Sequence, residues 1–251
     1  MDVDGTLLSH RTHCVPESAS RSLKNLRQKG IKVFICTGRH LPELRKLPLG
    51  NVEFDGFVTL NGQLVLDREG NLLFGNPLPE PARREIAAMF TGHELPILLM
   101  EEKRNYVNYI DELVEYVQEK ISSPLPQIGC YDGAPIYQAS IYLQQEQLAP
   151  LRARLPETAK MVRWNSSGVD VIPATGGKAE GMKHLMCHFG LQPAEVMAFG
   201  DGENDTDMLS FAGIGIAMGN GAECAKAAAD YVTADIDDDG VEKALCHFAL
   251  L

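Results

Sequence analysis

Two carboxylates open the sequence, at Asp2 and Asp4, and Gly5 follows them directly. Side chains along a β-strand alternate between its two faces, so carboxylates two residues apart point to the same side. Carboxylates that converge at a strand end repel each other, and a hard divalent cation with oxygen ligands, Mg²⁺ above all, relieves that repulsion. Taken alone, these residues also fit a solvated acidic segment followed by a glycine turn, because short motifs match by chance.

Three further polar clusters have residue types suited to the same chemistry. Thr37 and Gly38 offer a hydroxyl group and a backbone N–H to a phosphate oxygen. Lys178 places a cation near the start of a predicted helix. The segment 200–205 adds carboxylates and an amide, from Asp201, Asn204 and Asp205. Each cluster also has a plainer interpretation, as a turn residue, a surface lysine and a capped loop respectively.

These clusters fall beside the predicted strands of one sheet. Short apolar runs predict strands at 31–36, 56–60, 169–172, 196–199 and 214–217, and helical patterns predict helices at 17–29, 177–189 and 203–211. Strands that alternate with helices indicate an α/β fold with a doubly wound, Rossmann-like parallel sheet. Such sheets bind ligands at the carboxyl ends of their strands. Because the clusters fall at those ends, we expect them to face one crevice.

The character of the sequence changes near 77–81, where prolines mark a linker and a helix start. From 80 to 165 helical patterns mix with short strands, and the alternation in 136–143 predicts a half-exposed antiparallel strand. We therefore predict a core domain formed by 1–79 and 166–251, interrupted by an inserted α+β domain at 80–165.

Composition narrows the class of protein. The chain has 251 residues and is 45% hydrophobic, which allows a substantial core. A formal net charge of −11 argues against nucleic acid as a partner, because phosphate neutralisation needs a basic surface. The six cysteines form no Cys-x-x-Cys pair, and we interpret them as buried, reduced thiols. No apolar run is long enough for a membrane span. We expect a cytoplasmic protein with no membrane partner, either a monomer or a homodimer.

Together, the motifs resemble those of the haloacid dehalogenase (HAD) superfamily, and within it the Cof-type phosphatases with a large inserted cap (subfamily IIB). The four motifs are Asp2-x-Asp4-Gly5-Thr6, Cys36-Thr37-Gly38-Arg39, Lys178 within the segment 176–181, and Gly200-Asp201-Gly202-x-Asn204-Asp205. The resemblance covers the predicted core, whereas the inserted segment is similar only in size and position.

The resemblance implies a phosphatase mechanism with a covalent intermediate. Asp2 is then the nucleophile that forms an aspartyl-phosphate. Asp4 protonates the leaving alkoxide and later takes a proton from the hydrolytic water. Mg²⁺ is then held by Asp2, Asp201 and the backbone carbonyl of Asp4. The implied substrate is a small phosphorylated metabolite, with a sugar phosphate as the first choice.

The resemblance also implies groups that hold the phosphate and the leaving group. The phosphate ligands are then Thr37, the Gly38 N–H, Lys178 and Asn204. Asp205 then orients Lys178 or a metal-bound water. In the cap, the candidates for contact with the leaving group are Arg163, Trp164 and Asn165, although the same residues also fit a cap strand with a packed tryptophan. Arg39 fits either a contact with phosphate or an ion pair with an acidic neighbour.

Other functions share parts of this pattern. A phosphomutase, or a dedicated sucrose- or trehalose-phosphate phosphatase, would use the same core site and differ in the cap. A non-enzymatic phospho-receiver domain also places an acidic pocket, a threonine and a lysine on a doubly wound sheet. The length of the chain, the insertion and the second acidic cluster after Phe199 count against a receiver. A metabolite-binding protein with an inactive site has the same motifs.

One feature departs from the family pattern. HAD relatives carry several apolar residues before the first aspartate, and these form the central strand on which it is mounted, whereas only Met1 precedes Asp2 here. A misplaced start, an absent upstream segment and a shortened strand all fit this observation. We expect an absent upstream segment.

Overall fold

A computed structural model describes residues 1–50, 52–121 and 123–251, and the side chain of Asn165 lies outside the described part. The chain divides into two compact units. Met1–Phe74 and Gly177–Leu251 form the first unit, and Gly75–Gly176 forms the second. None of the helices in the described ranges combines the length and the apolar character that crossing a membrane requires.

The helices and strands alternate along much of the chain. The helices are α1 (Glu17–Gln28), α2 (Leu41–Leu44), α3 (Glu80–Thr91), α4 (Glu112–Lys120), α5 (Leu148–Arg154), α6 (Lys178–Phe189), α7 (Thr206–Phe211), α8 (Glu223–Ala228) and α9 (Gly240–His247). The strands are β1 (Phe34–Cys36), β2 (Gly56–Thr59), β3 (Leu64–Asp67), β4 (Leu72–Gly75), β5 (Ile97–Met100), β6 (Asn105–Val107), β7 (Gln138–Tyr142), β8 (Ala159–Asn165), β9 (Gly168–Pro173), β10 (Met197–Gly200), β11 (Ile214–Ala217) and β12 (Tyr231–Val232).

The first residues of the chain lie between two sheets of the first unit. One sheet has the order β1-β2-β3-β4, with β1 and β2 parallel, and the other has the parallel order β10-β11-β12. The Asp2 N–H donates to the Phe199 carbonyl (2.9 Å), and the Cys36 N–H donates to the Met1 carbonyl (2.8 Å). Asp2 is therefore held between the carboxyl ends of β1 and β10.

Helices cover both faces of these sheets. Ile35 and Phe199 point into an apolar cluster that includes residues of α1 and α9. Their chain neighbours Cys36 and Ala198 point into a second cluster, which includes residues of α6 and α7. Because successive strand residues face opposite sides, this alternation produces the doubly wound α/β core predicted from the sequence.

Helix α6 brings Lys178 to the strand ends. The helix follows Gly177 and closes at Gly190, which has the left-handed φ of 68° that favours glycine at a helix end. One face of α6, with Met182 and Leu185, packs into the second apolar cluster against the sheet. This packing fixes the first residue of the helix, Lys178, beside the strand ends.

The second unit contains an antiparallel five-stranded sheet with the order β6-β5-β7-β9-β8. Helices α3 and α5 contribute Ile86 and Leu151 to an apolar cluster that also contains Ile141 and Val171 of the sheet. Our assignment of the strand at 169–172 to the core sheet was wrong, because β9 pairs with β7 and β8. A strand buried on both faces in an antiparallel sheet has the same apolar run as a buried parallel strand.

The half-exposed character expected for 136–143 is also wrong. All five residues of β7 are buried. Its polar residues face partners: the Ser140 hydroxyl donates to Asp170 (2.5 Å), and the Gln118 amide donates to the Tyr142 hydroxyl (2.5 Å). Buried polar groups are tolerated when they are hydrogen-bonded. The alternating polar residues of β7 therefore form a buried, hydrogen-bonded face of the strand and not a face exposed to solvent.

The cysteines are all unpaired, but their burial differs from the expectation. Only Cys36, on β1, is buried, and Cys14, Cys130, Cys187, Cys224 and Cys246 are exposed. Burial raises the pKa of the Cys36 thiol to about 12, so this side chain stays neutral in the apolar cluster.

Candidate active site

The candidate site is built around a buried ammonium group. Lys178 Nζ lies 2.6 Å from Asp2 Oδ1 and forms a second ion pair with Asp205 Oδ1. The side chains of Lys178 and Asp205 are 0% exposed. The sequence placed these residues in separate clusters, and the structure brings them into contact across 27 and 176 residues of chain.

Asp205 joins the lysine to the loop after β10. Its Oδ2 accepts hydrogen bonds from the N–H groups of Asp201 (2.9 Å) and Gly202 (2.8 Å), while Oδ1 faces Lys178. The carboxylate therefore contacts Lys178 with one oxygen and holds the loop that carries Asp201 with the other, and its orienting role in the reaction stays a prediction.

Three carboxylates converge at the site. Asp2, Asp201 and Asp205 each offer an oxygen within 4.8 Å of the others. The Thr6 hydroxyl donates to Asp201 Oδ1 (2.6 Å) and fixes its orientation. Clustered carboxylate oxygens are the ligand type that Mg²⁺ prefers, so the donor set fits a hard divalent cation.

The electrostatics of the cluster also fit a cation. Burial raises the pKa of Asp2 well above its ordinary value, although Lys178 opposes this rise. Burial, followed by the negative charge of Asp205, raises the pKa of Asp201 to about 7. Burial alone would lower the pKa of Lys178, but Asp2 and Asp205 outweigh that effect and raise it. One ammonium does not neutralise three clustered carboxylates, and a bound cation would return the raised pKa values of Asp2 and Asp201 toward their ordinary range.

The side chain of Asp4 lies in a different environment from that of Asp2. Arg39 donates to both of its carboxylate oxygens, from Nε at 2.6 Å and from Nη2 at 2.8 Å. Of the two possibilities left open for Arg39, this conformation has the ion pair with an acidic neighbour. The Asp4 side chain is thus engaged by Arg39, and a contact of its backbone carbonyl with a metal stays a prediction.

The candidate phosphate ligands lie around the same strand ends. Thr37 is buried, and its hydroxyl accepts a hydrogen bond from the Arg39 N–H (3.2 Å). The Asn204 amide donates to Asn61 Oδ1 (3.0 Å), and Gly38 lies against the same Asn61 side chain. No role for Asn61 was predicted from the sequence. Its position directly after β2, at the edge where the other clusters lie, is the signal that points to it.

The candidate leaving-group residues lie on β8 of the second unit. Arg163 donates to Gln145 Oε1 (2.7 Å) and to the Ser166 carbonyl (3.3 Å). The Trp164 ring packs edge-on against Tyr142, and its indole nitrogen is buried with no hydrogen-bond partner among the described residues. The side chain of Asn165 is outside the described part. The packed tryptophan fits the structural interpretation of this strand, and a contact with substrate stays a prediction.

The family follows from comparison with known sequences. Residues 1–245 match the family described as haloacid dehalogenase-like hydrolase. The chain belongs to the haloacid dehalogenase-like hydrolases.

Relatives of known sequence or structure place it among the HAD phosphatases. The protein named "Putative phosphatase YkrA" from Bacillus subtilis (strain 168) is 34% identical over 255 residues, covering 100% of this chain and 96% of the relative. The HMP-PP phosphatase of Escherichia coli O157:H7 is 29% identical, covering 87% of this chain and 82% of the relative. The structure of the HAD subclass IIB sugar phosphatase BT4131 superposes with a TM-score of 0.87 at 33% identity, covering 100% of this chain and 98% of that one.

These similarities confirm three sequence predictions: the HAD family, the α/β fold and an enzyme of the phosphatase class. They confirm the Cof-type, subclass IIB resemblance as well. The roles of individual residues in this HAD phosphatase stay predictions.

Proposed function

We propose that this HAD phosphatase hydrolyses a small phosphorylated metabolite, with a sugar phosphate as the favoured class, through an aspartyl-phosphate on Asp2 and with Mg²⁺ as its cofactor. The observation that carries the proposal is the buried contact of Lys178 with Asp2, beside the carboxylate of Asp201. This arrangement combines a fixed nucleophile, a fixed cation and a divalent-metal donor set.

Asp2 is the nucleophile in this proposal. One of its carboxylate oxygens attacks phosphorus, the bond from phosphorus to the ester oxygen breaks, and the electron pair leaves with the alkoxide. The hydrogen bond from Lys178 holds the carboxylate in place before attack. Lys178 also supplies positive charge where charge builds up on the transferring oxygens.

Asp4 provides the acid–base function. It gives a proton to the leaving alkoxide in the first step and takes one from water in the second, so no net proton is consumed at this group. The water attacks phosphorus and releases Asp2 together with inorganic phosphate. Arg39 donates to both oxygens of Asp4 in this conformation, so one of these two hydrogen bonds opens when Asp4 carries the proton.

Mg²⁺ would be held by Asp2, Asp201 and the backbone carbonyl of Asp4. When bound, it supplies the positive charge that lets carboxylates and a phosphate dianion occupy one site. The remaining contacts to phosphate come from the protein, through the proposed ligands Thr37, the Gly38 N–H, Lys178 and Asn204.

The substrate class rests on the relatives. One is named an HMP-PP phosphatase and another a sugar phosphatase, and both names describe small phosphorylated molecules. The sugar phosphatase is matched over 98% of its chain at a TM-score of 0.87 and 33% identity, and this similarity supports a sugar phosphate. We assign discrimination between leaving groups to the second unit, with Arg163, Trp164 and Asn165 as candidates.

One assay tests the proposal: release of p-nitrophenol from p-nitrophenyl phosphate, with Mg²⁺ or with EDTA, for the wild type and Asp2→Asn. Asparagine keeps the size and one oxygen of the aspartate but is a poor nucleophile. We expect Mg²⁺-dependent turnover that the variant loses. Asp238→Asn is the matched control, because Asp238 is an exposed carboxylate outside the site. Equal activity in EDTA, or an active Asp2→Asn variant, would refute the mechanism, and a stable phosphoprotein without turnover would favour a receiver.

A further inference from the structure

The chain after β2 has an unusual backbone. Leu60 (φ 52°), Asn61 (φ 51°) and Gly62 (φ 91°) are three consecutive residues in the left-handed region. Glycine enters this region freely and asparagine does so more readily than most residues, so the cost in free energy falls mainly on Leu60. Such strain persists where surrounding contacts impose it and is frequent at functional sites.

The backbone conformation of Leu60 and Asn61 is held by hydrogen bonds to the loop that carries the candidate phosphate ligands. The Asn61 N–H donates to the Thr37 carbonyl (3.0 Å), and the Leu60 N–H donates to the Arg39 carbonyl (3.2 Å). These two bonds fix both ends of the loop that carries Gly38. A methyl group added to Gly38 would lie 3.2 Å from the Asn61 carboxamide, so the loop and this side chain are already in close contact.

The Asn61 side chain reaches a second element of the site. Its Oδ1 accepts a hydrogen bond from Asn204 Nδ2 (3.0 Å), across 143 residues of chain. Asn61 is 2% exposed. With one amide hydrogen of Asn204 directed at Asn61, the orientation of the Asn204 carboxamide is set, and its second amide hydrogen has a defined direction.

We propose that Asn61 is a positioning residue for phosphate binding: its side chain fixes the Asn204 carboxamide and its backbone N–H holds the loop 37–39, so that their donors converge on one phosphate. The inference rests on the proposed function, because Thr37, Gly38 and Asn204 are phosphate ligands only within it. The strained backbone of Leu60 and Asn61 is the conformation that makes both sets of contacts at once.

The test is the binding of inorganic phosphate to the Mg²⁺-loaded protein, measured as competitive inhibition and by calorimetry. Asn61→Gly removes the carboxamide but keeps a residue that adopts left-handed φ without strain, so the fold is retained. We expect this variant to bind phosphate about tenfold more weakly, the loss of roughly one hydrogen bond to a charged group. Asn71→Gly, in an exposed turn, is the matched control and should bind as the wild type does.

A double-mutant cycle with Asn204→Ala separates positioning from general structure. If Asn61 acts through Asn204, the double variant binds phosphate about as weakly as Asn204→Ala alone, whereas independent effects multiply. Multiplied effects, or an Asn61→Gly variant with the affinity of the wild type, would overturn the inference.

Asn61→Asp covers the case in which Asn61→Gly does not fold. Aspartate keeps the acceptor for Asn204 but adds a negative charge, so we expect a raised KM with kcat near that of the wild type. A lowered kcat with unchanged KM would contradict positioning. A wild type without Mg²⁺-dependent turnover would refute the proposed function instead, and calorimetry with phosphate would still report on Asn61.

Discussion

The guanidinium of Arg39 holds the carboxylate of Asp4 with two hydrogen bonds, one to each oxygen, at 2.6 and 2.8 Å. Their side chains are 14% and 30% exposed, so the pair is partly shielded from water. Bidentate arginine–carboxylate pairs are stronger and more directional than single ion pairs. If Asp4 is the acid–base group, one of these hydrogen bonds opens when it is protonated, and the remaining one sets the direction of the carboxyl group.

Substitution of Arg39 tests this arrangement. Arg39→Lys keeps the charge but loses the planar fork, and we expect kcat to fall about tenfold on an alkyl phosphate, whose leaving group needs a proton. p-Nitrophenyl phosphate has a stabilised leaving group, so its hydrolysis should fall much less. Asp4→Asn should show the same contrast with a loss of about 10² or more on the alkyl phosphate. Arg45→Lys, at an exposed arginine, is the control, and equal losses on both substrates would count against the assignment.

Lys178 should be required for folding as well as for activity. Lys178→Met leaves Asp2 and Asp205 buried without their cation, and we expect a loss of about 3–5 kcal/mol in the free energy of unfolding. The same change at Lys183, on the same helix, removes an ion pair whose lysine is 52% exposed and should cost less than about 1 kcal/mol. Urea unfolding monitored by circular dichroism compares the two, and similar losses would contradict a buried pair.

The raised pKa of Asp201 predicts how pH changes stability without metal. Its pKa is about 7 in the folded protein against an ordinary 3.8, because of burial and the charge of Asp205. Between these values the folded protein keeps a proton that the unfolded chain has lost. This contribution to stability is therefore complete below the ordinary pKa and disappears as pH rises through about 7.

Urea unfolding in EDTA at about pH 5 and pH 8 measures this effect. We expect greater stability at the lower pH, and Asp201→Asn should reduce the difference. Part of the stability difference between the two pH values should remain in Asp201→Asn, because the pKa of Asp2 is raised as well. Mg²⁺ competes with these protons, so its affinity should increase with pH and its binding should release protons, measurable by calorimetry in two buffers. Affinity independent of pH would show that these carboxylates are not the ligands.

Gly5 offers a paired test of close packing in the site. Its φ is +81°, and a methyl group at this position would overlap the carboxylate of Asp201. Gly30 has nearly the same φ, +80°, with nothing within 4 Å. Gly30→Ala should therefore cost only the backbone strain, about 1 kcal/mol. Gly5→Ala should also weaken Mg²⁺ binding, and equal Mg²⁺ affinity in both variants would contradict the packing.

The sequence predicted the parts of the site that depend on residue type and position along the chain. Asp2, Lys178, Asp201 and Asp205 were recognised because each belongs to one of the four motifs, and Asp201 also follows a predicted strand whose end could be located. The pairing of Arg39 with Asp4 could not be predicted, since spacing does not determine which of several acidic neighbours a long side chain contacts. No role was predicted for Asn61 for a related reason: its hydrogen bond to Asn204 joins residues 143 positions apart.

Sequence patterns located helices and strands along the chain, but they did not always show to which sheet a strand belongs. The run at 169–172 correctly predicted a strand, but its apolar character is the same in a parallel core sheet and in the interior of the antiparallel one. Strand β6 and helix α5 were not predicted, because each is short. Short elements are stabilised by tertiary packing more than by local preference.

The division of the chain has a consequence for synthesis on the ribosome. Asp2 and Asn61 are translated before the second unit, and Lys178 and Asp201 after it, although all four belong to the first unit. The second unit is continuous, so it can fold while the early half of the first unit still lacks its partner strands. Limited proteolysis of stalled nascent chains would test this, with Gly75–Gly176 expected to resist cleavage before the first 74 residues do. Asp2, the proposed nucleophile, can therefore pair with Lys178 only after the whole second unit has been synthesised.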